Sequence, residues 1–207
     1  MNVDIDITNA RLRTERLILR PWEPADVGDL FEYASVDGVG QMAGWAPHES
    51  LENSREILDM FINGKHVFAL EYRGKAVGSL GIEKYNEKEL PEFAGKRGAE
   101  LGFVLSKDLW GKGLVVEAVR EVVRYLFEEL KLDFITCGYF EWNRQSGRVK
   151  VSEPYIPWSF RSCSGAGRPS KRRSFLPGWI DSAGTTPLRY QSLCFVIPTP
   201  RRRGKPD

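Results

Sequence analysis

Ala99-Glu100-Leu101-Gly102-Phe103-Val104-Leu105, Ser106-Lys107-Asp108-Leu109-Trp110 and Gly111-Lys112-Gly113 run directly into a long amphipathic segment from Leu114 to Leu130. The opening is apolar and β-prone, and the middle is a glycine-flanked loop. The last part places Val115, Ala118, Val119, Val122, Val123, Leu126, Phe127 and Leu130 at helical spacing. Its polar face carries Glu117, Arg120, Glu121, Arg124, Glu128 and Glu129. The pattern predicts strand, glycine loop, helix. Such a loop leaves unpaired backbone N–H groups at the start of a helix, where the dipole also favours negative charge, and this suits phosphate. Two glycines permit close approach of a bulky anion, and Lys112 adds a cation. Taken alone, the loop reads first as an ordinary strand-to-helix turn. A Walker A loop is excluded, because Gly113 rather than Ser or Thr follows Lys112. A dinucleotide fingerprint is excluded, because Val116 stands where its third glycine belongs.

A longer span narrows the choice. Glu100-Leu101-Gly102-Phe103-Val104-Leu105, then Trp110-Gly111-Lys112-Gly113-Leu114 and Glu117-Ala118, resembles the acetyl-CoA motif of the GNAT acetyltransferases, and most of all their RimJ/RimL-like subgroup. Leu12-Arg13-Thr14-Glu15-Arg16-Leu17-Ile18-Leu19-Arg20-Pro21 and Asn143-Arg144-Gln145-Ser146 resemble the same subgroup, in the same order. The resemblance covers about residues 11 to 150. It implies a mixed α/β sheet of the GNAT-like acyl-CoA N-acyltransferase fold over residues 10–150. It also implies transfer of acetyl from acetyl-CoA to a primary amine, either a protein N-terminus or a small molecule, with no metal.

At 207 residues the chain suits one domain, or one domain with a tail. Its 42% hydrophobic and 28% charged content fits a soluble globular protein. No apolar run is long enough for a membrane helix, and the N-terminus shows no basic segment followed by a hydrophobic one. Three widely spaced cysteines, Cys137, Cys163 and Cys194, suggest neither a disulfide framework nor a metal site and fit a reducing cytoplasm. The net charge of +2 is uneven. Residues 1–150 carry a net −5 (20 Lys and Arg against 25 Asp and Glu), and residues 151–207 a net +7 (10 against 3).

Taken in order, Leu17–Arg20 reads as a short strand ended by Pro21, and Pro24 suits the first turn of a helix with Val27, Leu30, Phe31 and Ala34 inward. Residues 41–50 predict a surface loop anchored by Trp45, with His48 a structural rather than catalytic residue. Ser50 can cap a second helix that packs through Leu51, Leu58, Phe61 and Ile62 and stops at Gly64. Val67–Tyr72 and Ala76–Ile82 read as a hairpin, residues 84–98 as a loop, and Phe134–Phe140 as a strand parallel to Ala99–Leu105 by a right-handed crossover.

After Lys150 the composition turns to proline, serine, arginine and glycine, with basic clusters at Arg168, Lys171-Arg172-Arg173 and Arg201-Arg202-Arg203. Only Leu193–Ile197 looks like a strand. The resemblance also ends here, where the family continues into a helix and a final hairpin. Residues 151–207 are therefore expected to be disordered or poorly packed, through either a reading-frame change near residue 150 or genuine divergence. Without a closing hairpin, the Phe134–Phe140 strand would have a bare edge.

The resemblance assigns the chemistry. The backbone of Phe103, Val104 and Leu105 would pair with the pantetheine arm, and the N–H groups of Trp110, Gly111, Lys112, Gly113, Leu114 and Val115 would hold the pyrophosphate. Asn143 and Ser146 complete the cofactor set. Glu100, at the start of the key strand with Gly102 on the same face, is the candidate base, with Glu83 in reserve. It could equally be a surface glutamate at a strand end. Many relatives place a tyrosine acid where Lys150 stands, and Tyr155 is too distant a substitute, so no acid is assigned. Two alternatives differ in class: an inactive CoA-binding remnant, and a nucleic-acid or ribosome-associated protein using the basic end, the latter disfavoured by the lack of interleaved aromatics. A homodimer is compatible with the sequence.

Overall fold

The computed structural model describes residues 1–140, 143–149, 159–162 and 190–196. One sheet runs through them. Its strands are β1 (Leu12–Arg13), β2 (Ile18–Pro21), β3 (Val67–Tyr72), β4 (Lys75–Glu83), β5 (Gly98–Leu105), β6 (Phe134–Phe140), β7 (Ser159–Ser162) and β8 (Tyr190–Val196), in the order β1-β2-β3-β4-β5-β6-β8-β7. Among the described strands only β5 and β6 pair in parallel, as a helical crossover requires. The hairpin between β3 and β4 turns through Arg73 and Gly74, both at positive φ, the geometry that matches strand twist in a two-residue turn.

Helix α1 (Val27–Ala34) follows a short 3-10 turn begun by Pro24, and α2 (Leu51–Gly64) is capped by Ser50, whose hydroxyl accepts from the Asn53 N–H. Both lie on one face of the sheet and bury Leu30, Tyr33, Ala34, Ile57 and Leu58 against Val67 and Ala69. Leu51, expected inside, is 43% exposed; Ile57 takes that inward position instead. Helix α3 (Leu114–Glu128) covers the opposite face. It buries Leu114, Ala118, Val119, Val122, Val123 and Leu126 against Leu80, Ile82, Leu101 and Ile135. The 84–98 segment is not merely a connecting loop. Tyr85, Leu90 and Phe93 pack a small separate core on the Phe134 ring.

The C-terminal expectation needs correction. β6 has no bare edge: all seven of its residues pair antiparallel with β8, and β7 pairs with β8 in turn. The reason lies in β6. Its first four residues are buried, and a strand so placed must find partners for its outer N–H and C=O groups. The short run Tyr190–Val196 supplies them from within a proline-rich surrounding that hides it. The basic clusters of 168–173 and 201–203, with Lys150 and Tyr155, lie outside the described residues, as do the expectations of disorder and of a frame change there. Helix α4 (Arg144–Gly147) is a single turn after β6.

Candidate active site

The parallel pair opens. β5 and β6 are hydrogen-bonded only from Gly98–Leu101 to Phe134–Cys137, although β5 runs on to Leu105 and β6 to Phe140. On its other side β5 stays paired with β4 as far as Leu105. Phe103, Val104 and Leu105 therefore turn one backbone edge toward a gap between parallel strands, with no strand partner there among the described residues.

At the end of that gap lies the glycine loop. Gly111 and Gly113 sit at φ +76 and +77, a region where other L residues are strained, and Gly113 is the N-cap of α3 with no side-chain cap. Among the described residues, the N–H groups of Gly111, Lys112, Gly113, Leu114, Val115 and Val116 have no acceptor; the first helical bond runs from Glu117 N–H to Gly113 C=O. Five of the six residues expected to donate to phosphate are thus available. Trp110 departs from the set, because its N–H is donated to the Lys107 carbonyl. Its indole N–H meets the Leu105 carbonyl at 2.8 Å, so Trp110 pins the loop to the strand end.

The loop is held from beneath by residues for which the sequence suggested no role. The Glu117 carboxylate accepts from Thr14 Oγ1, from the Arg16 N–H at 2.7 Å and from Arg16 Nε at 2.7 Å, and lies 2.7 Å from Arg16 Nη2. Arg16 Nη1 donates to the Lys112 carbonyl at 2.9 Å. Burial acts to raise the Glu117 pKa, but the hydrogen bonds from Thr14 and Arg16 and the guanidinium charge prevail and hold it below the usual carboxylate range.

Glu100 sits across from Glu83 on β4 and Thr136 on β6. Directly opposed residues share a face, so these three lie on the face away from α3. Two residues further along, the same face is lined by Gly81 and Gly102, opposed to each other, and by Gly138. A Cβ on Gly102 would meet nothing within 4 Å. Gly102 thus opens a trough on this face beside Glu100, whereas Gly81 is buried, with a Glu83 carboxylate oxygen 2.7 Å from where its Cβ would stand. Glu83 lies 3.3 Å from His66 Nε2, and the His66 Nδ1 is 2.7 Å from the Gly64 carbonyl. The hydrogen bond that His66 donates to the Glu83 carboxylate is the main cause that lifts the His66 pKa above its ordinary value.

Asn143 is buried, but its side chain works within the protein. Its Oδ1 accepts from the Ser146 N–H at 3.1 Å, and its Nδ2 donates to the Met42 carbonyl at 2.9 Å. It ties the end of β6 to the 40–43 turn. Ser146 is half-buried beside it. His48 lies in the expected loop ahead of α2, but its side chain turns inward. It is buried, with Nδ1 2.7 Å from Ser54 Oγ and its ring against Trp45, and burial pushes its pKa down.

A cleft of about 450 Å³ opens elsewhere, between the N-terminal segment and the outer side of α3, lined by Arg11, Arg13, Glu121, Arg124 and Glu129 among others. Its charges are mixed, and Arg124 is already bonded to Glu121, Glu128 and Glu129, so its volume does not outweigh the free N–H groups of the loop. Among the described residues no group of three His, Cys, Asp or Glu could hold a metal ion, and no helix is long and apolar enough to cross a membrane.

A parallel pair that opens toward unpaired amides at a helix start is the framework of an acyl-CoA-dependent transferase. The sequence matches the acetyltransferase (GNAT) domain over residues 16–151, and the chain belongs to that family of acetyl-CoA-dependent acetyltransferases. It is 31% identical over 145 residues to the uncharacterised N-acetyltransferase YoaA of Bacillus subtilis (strain 168), an alignment covering 67% of this chain and 78% of that protein. Two solved structures share the fold. A GNAT-family acetyltransferase from Bacillus anthracis superposes with a TM-score of 0.68 at 21% identity, covering 90% of this chain and 98% of its own. The ribosomal-protein-S5-alanine acetyltransferase from Vibrio fischeri superposes with a TM-score of 0.60 at 13% identity, covering 91% and 97%.

Proposed function

We propose that this chain is an N-acetyltransferase that moves the acetyl group of acetyl-CoA directly onto a primary amine, with the pyrophosphate held at Gly111–Val115. The observation that carries the proposal is the run of acceptor-free N–H groups at the end of the open β5–β6 gap. The five donors of Gly111–Val115 at a helix start match a doubly charged pyrophosphate. The gap-facing edge of Phe103–Leu105 offers the amide-bearing arm the partners a strand would, apart from the Leu105 carbonyl, which already accepts from the Trp110 indole. From Leu105 back to Glu100 the strand spans roughly 17 Å at ~3.4 Å per residue, so the arm leads from the phosphate loop toward the carboxylate end.

The acceptor enters over Gly102, on the face opposite α3, so donor and acceptor meet through the sheet. Glu83 and Glu100 draw an amine that arrives as a cation. Glu100 stands on β5 beside the gap, one strand closer than Glu83, and takes the proton directly or through water. A backbone N–H of the gap polarises the thioester carbonyl. The new C–N bond forms as the C–S bond breaks, and the proton lost by the amine is balanced by one gained at sulfur. Alignment of the two reactants can supply up to about 7–11 kcal/mol of the barrier. Asn143 acts indirectly, by fixing the 40–43 turn beside the trough. The S5-alanine acetyltransferase likeness makes a protein N-terminal amine the first acceptor to try.

The test is a thermal shift with acetyl-CoA, followed by thiol release with a panel comprising spermidine and peptides with free N-terminal alanine or serine. Stabilisation by acetyl-CoA and amine-dependent thiol release are expected. Stabilisation without thiol release from any amine would mark a CoA-binding remnant, and no stabilisation would overturn the proposal.

A further inference from the structure

We infer that Arg16 is a positioning residue for the phosphate loop, working through the Lys112–Gly113 peptide; the inference rests on the proposed function. Arg16 lies between β1 and β2, far in sequence from the loop it touches. Three of its contacts go to one carboxylate: the backbone N–H and Nε donate to Glu117, and Nη2 lies 2.7 Å from it. Thr14 braces the same carboxylate and accepts from the Leu17 N–H at 2.9 Å, which fixes the turn that presents Arg16. A guanidinium gripped along one edge by a carboxylate is rigid. It therefore holds what its remaining nitrogen meets, the Lys112 carbonyl at 2.9 Å.

The consequence follows from peptide geometry. In a planar trans peptide the C=O and the following N–H point in opposite directions. Anchoring the Lys112 carbonyl on Arg16 therefore aims the Gly113 N–H away from Arg16 and toward the open side of the loop. Gly113, at φ +77 and without a side chain, could otherwise rotate that peptide at little cost. Arg16 thus orients in advance one amide that the anion would have to order on binding, and preorganised donors bind more tightly than mobile ones. Its Nη2 would stand 3.6 Å from a Gly113 Cβ, so its charge also lies close behind the loop backbone. Glu117 offsets that charge, which leaves orientation as the larger effect.

The experiment compares acetyl-CoA affinity by calorimetry in wild type, Arg16→Gln and Arg16→Lys. Amide shifts of Gly113 with and without acetyl-CoA, and the unfolding midpoint of each free protein, accompany it. Lysine keeps the charge but cannot hold Glu117 and the Lys112 carbonyl together. Both variants should weaken affinity about 10- to 100-fold, the range of one or two charge-assisted hydrogen bonds. Both should also lose most of the ligand-induced shift of Gly113. Wild-type affinity in Arg16→Lys would show that charge alone matters and overturn the inference. So would weakened affinity with the Gly113 shift intact, which would mark general loosening. If Arg16→Gln does not fold, Arg16→Lys decides. A wild type that does not bind acetyl-CoA overturns the proposed function and this inference with it, whereas a wild type that binds no better than its variants overturns this inference alone.

Discussion

Gly102→Val separates the trough from the fold. Gly102 lies inside β5, exposed, with nothing within 4 Å of a Cβ placed there, and its φ is not positive. A glycine inside a strand costs ~0.5–1 kcal/mol relative to alanine, and β-branched residues favour strands further. The variant should therefore be more stable by about 1 kcal/mol, a rise of roughly 2–4 °C in Tm for a chain of this size. The same side chain fills the floor of the trough beside Glu100 and lifts the acceptor away. A misplacement of about 1 Å is enough for a ~100-fold loss of rate, so thiol release with the best amine should fall at least that far while acetyl-CoA still stabilises the protein. The assays are thermal unfolding with and without acetyl-CoA and initial rates of thiol release. Wild-type turnover in the more stable variant would show that the acceptor does not cross Gly102, and a drop in Tm would show that the face is not open there.

Gly113→Val forces a β-branched residue to φ +77 and places a side chain beside the loop amides. It should cost about 1–2 kcal/mol of stability and weaken acetyl-CoA binding about tenfold or more, and unaltered affinity by calorimetry would rule the loop out. Arg20→Met leaves Asp26, buried and bonded to Arg20 at 2.7 and 2.8 Å, without its partner. A loss of about 3–5 kcal/mol is expected in urea unfolding, and a loss under 1 kcal/mol would show that Asp26 reaches water. The His66–Glu83 pair raises the folded-state pKa of His66. Its contribution is therefore full below the unfolded value of about 6.5 and fades as the pH climbs through the raised folded value. The stability difference between wild type and Glu83→Gln should accordingly shrink between about pH 6 and pH 8, and a difference that grows over that range would refute the pairing.

The central unit was legible because its period changes twice, from strand to glycine loop to helix, and each change carries local chemistry. The observed bounds of β5, α3 and β6 follow that pattern closely. The Ser50 cap and the Arg73–Gly74 turn were legible for the same local reason. What stayed hidden is long-range. Arg16 and Glu117 are 101 positions apart, and nothing local in Thr14-Glu15-Arg16 says which carboxylate it will meet; the motif marked the stretch without revealing its partner. His66 and Glu83 meet only because β3 and β4 pair in that register. β8 was legible as a fragment, but its pairing is dictated by β6 rather than by its own proline-rich neighbourhood. His48 is the loop residue the sequence suggests, but its burial against Ser54 and Trp45 comes from tertiary packing and was not legible.

The central claim is that acetyl-CoA lies in the opened β5–β6 gap with its pyrophosphate on the loop amides. A crystal structure of the protein soaked with acetyl-CoA tests it most directly. Pyrophosphate oxygens are expected within hydrogen-bond distance of the Gly111–Val115 N–H groups, with the arm along Phe103–Leu105 and the thioester facing Glu100. Acetyl-CoA bound instead in the cleft lined by Arg11, Arg13 and Arg124, with the loop amides bare, would contradict it.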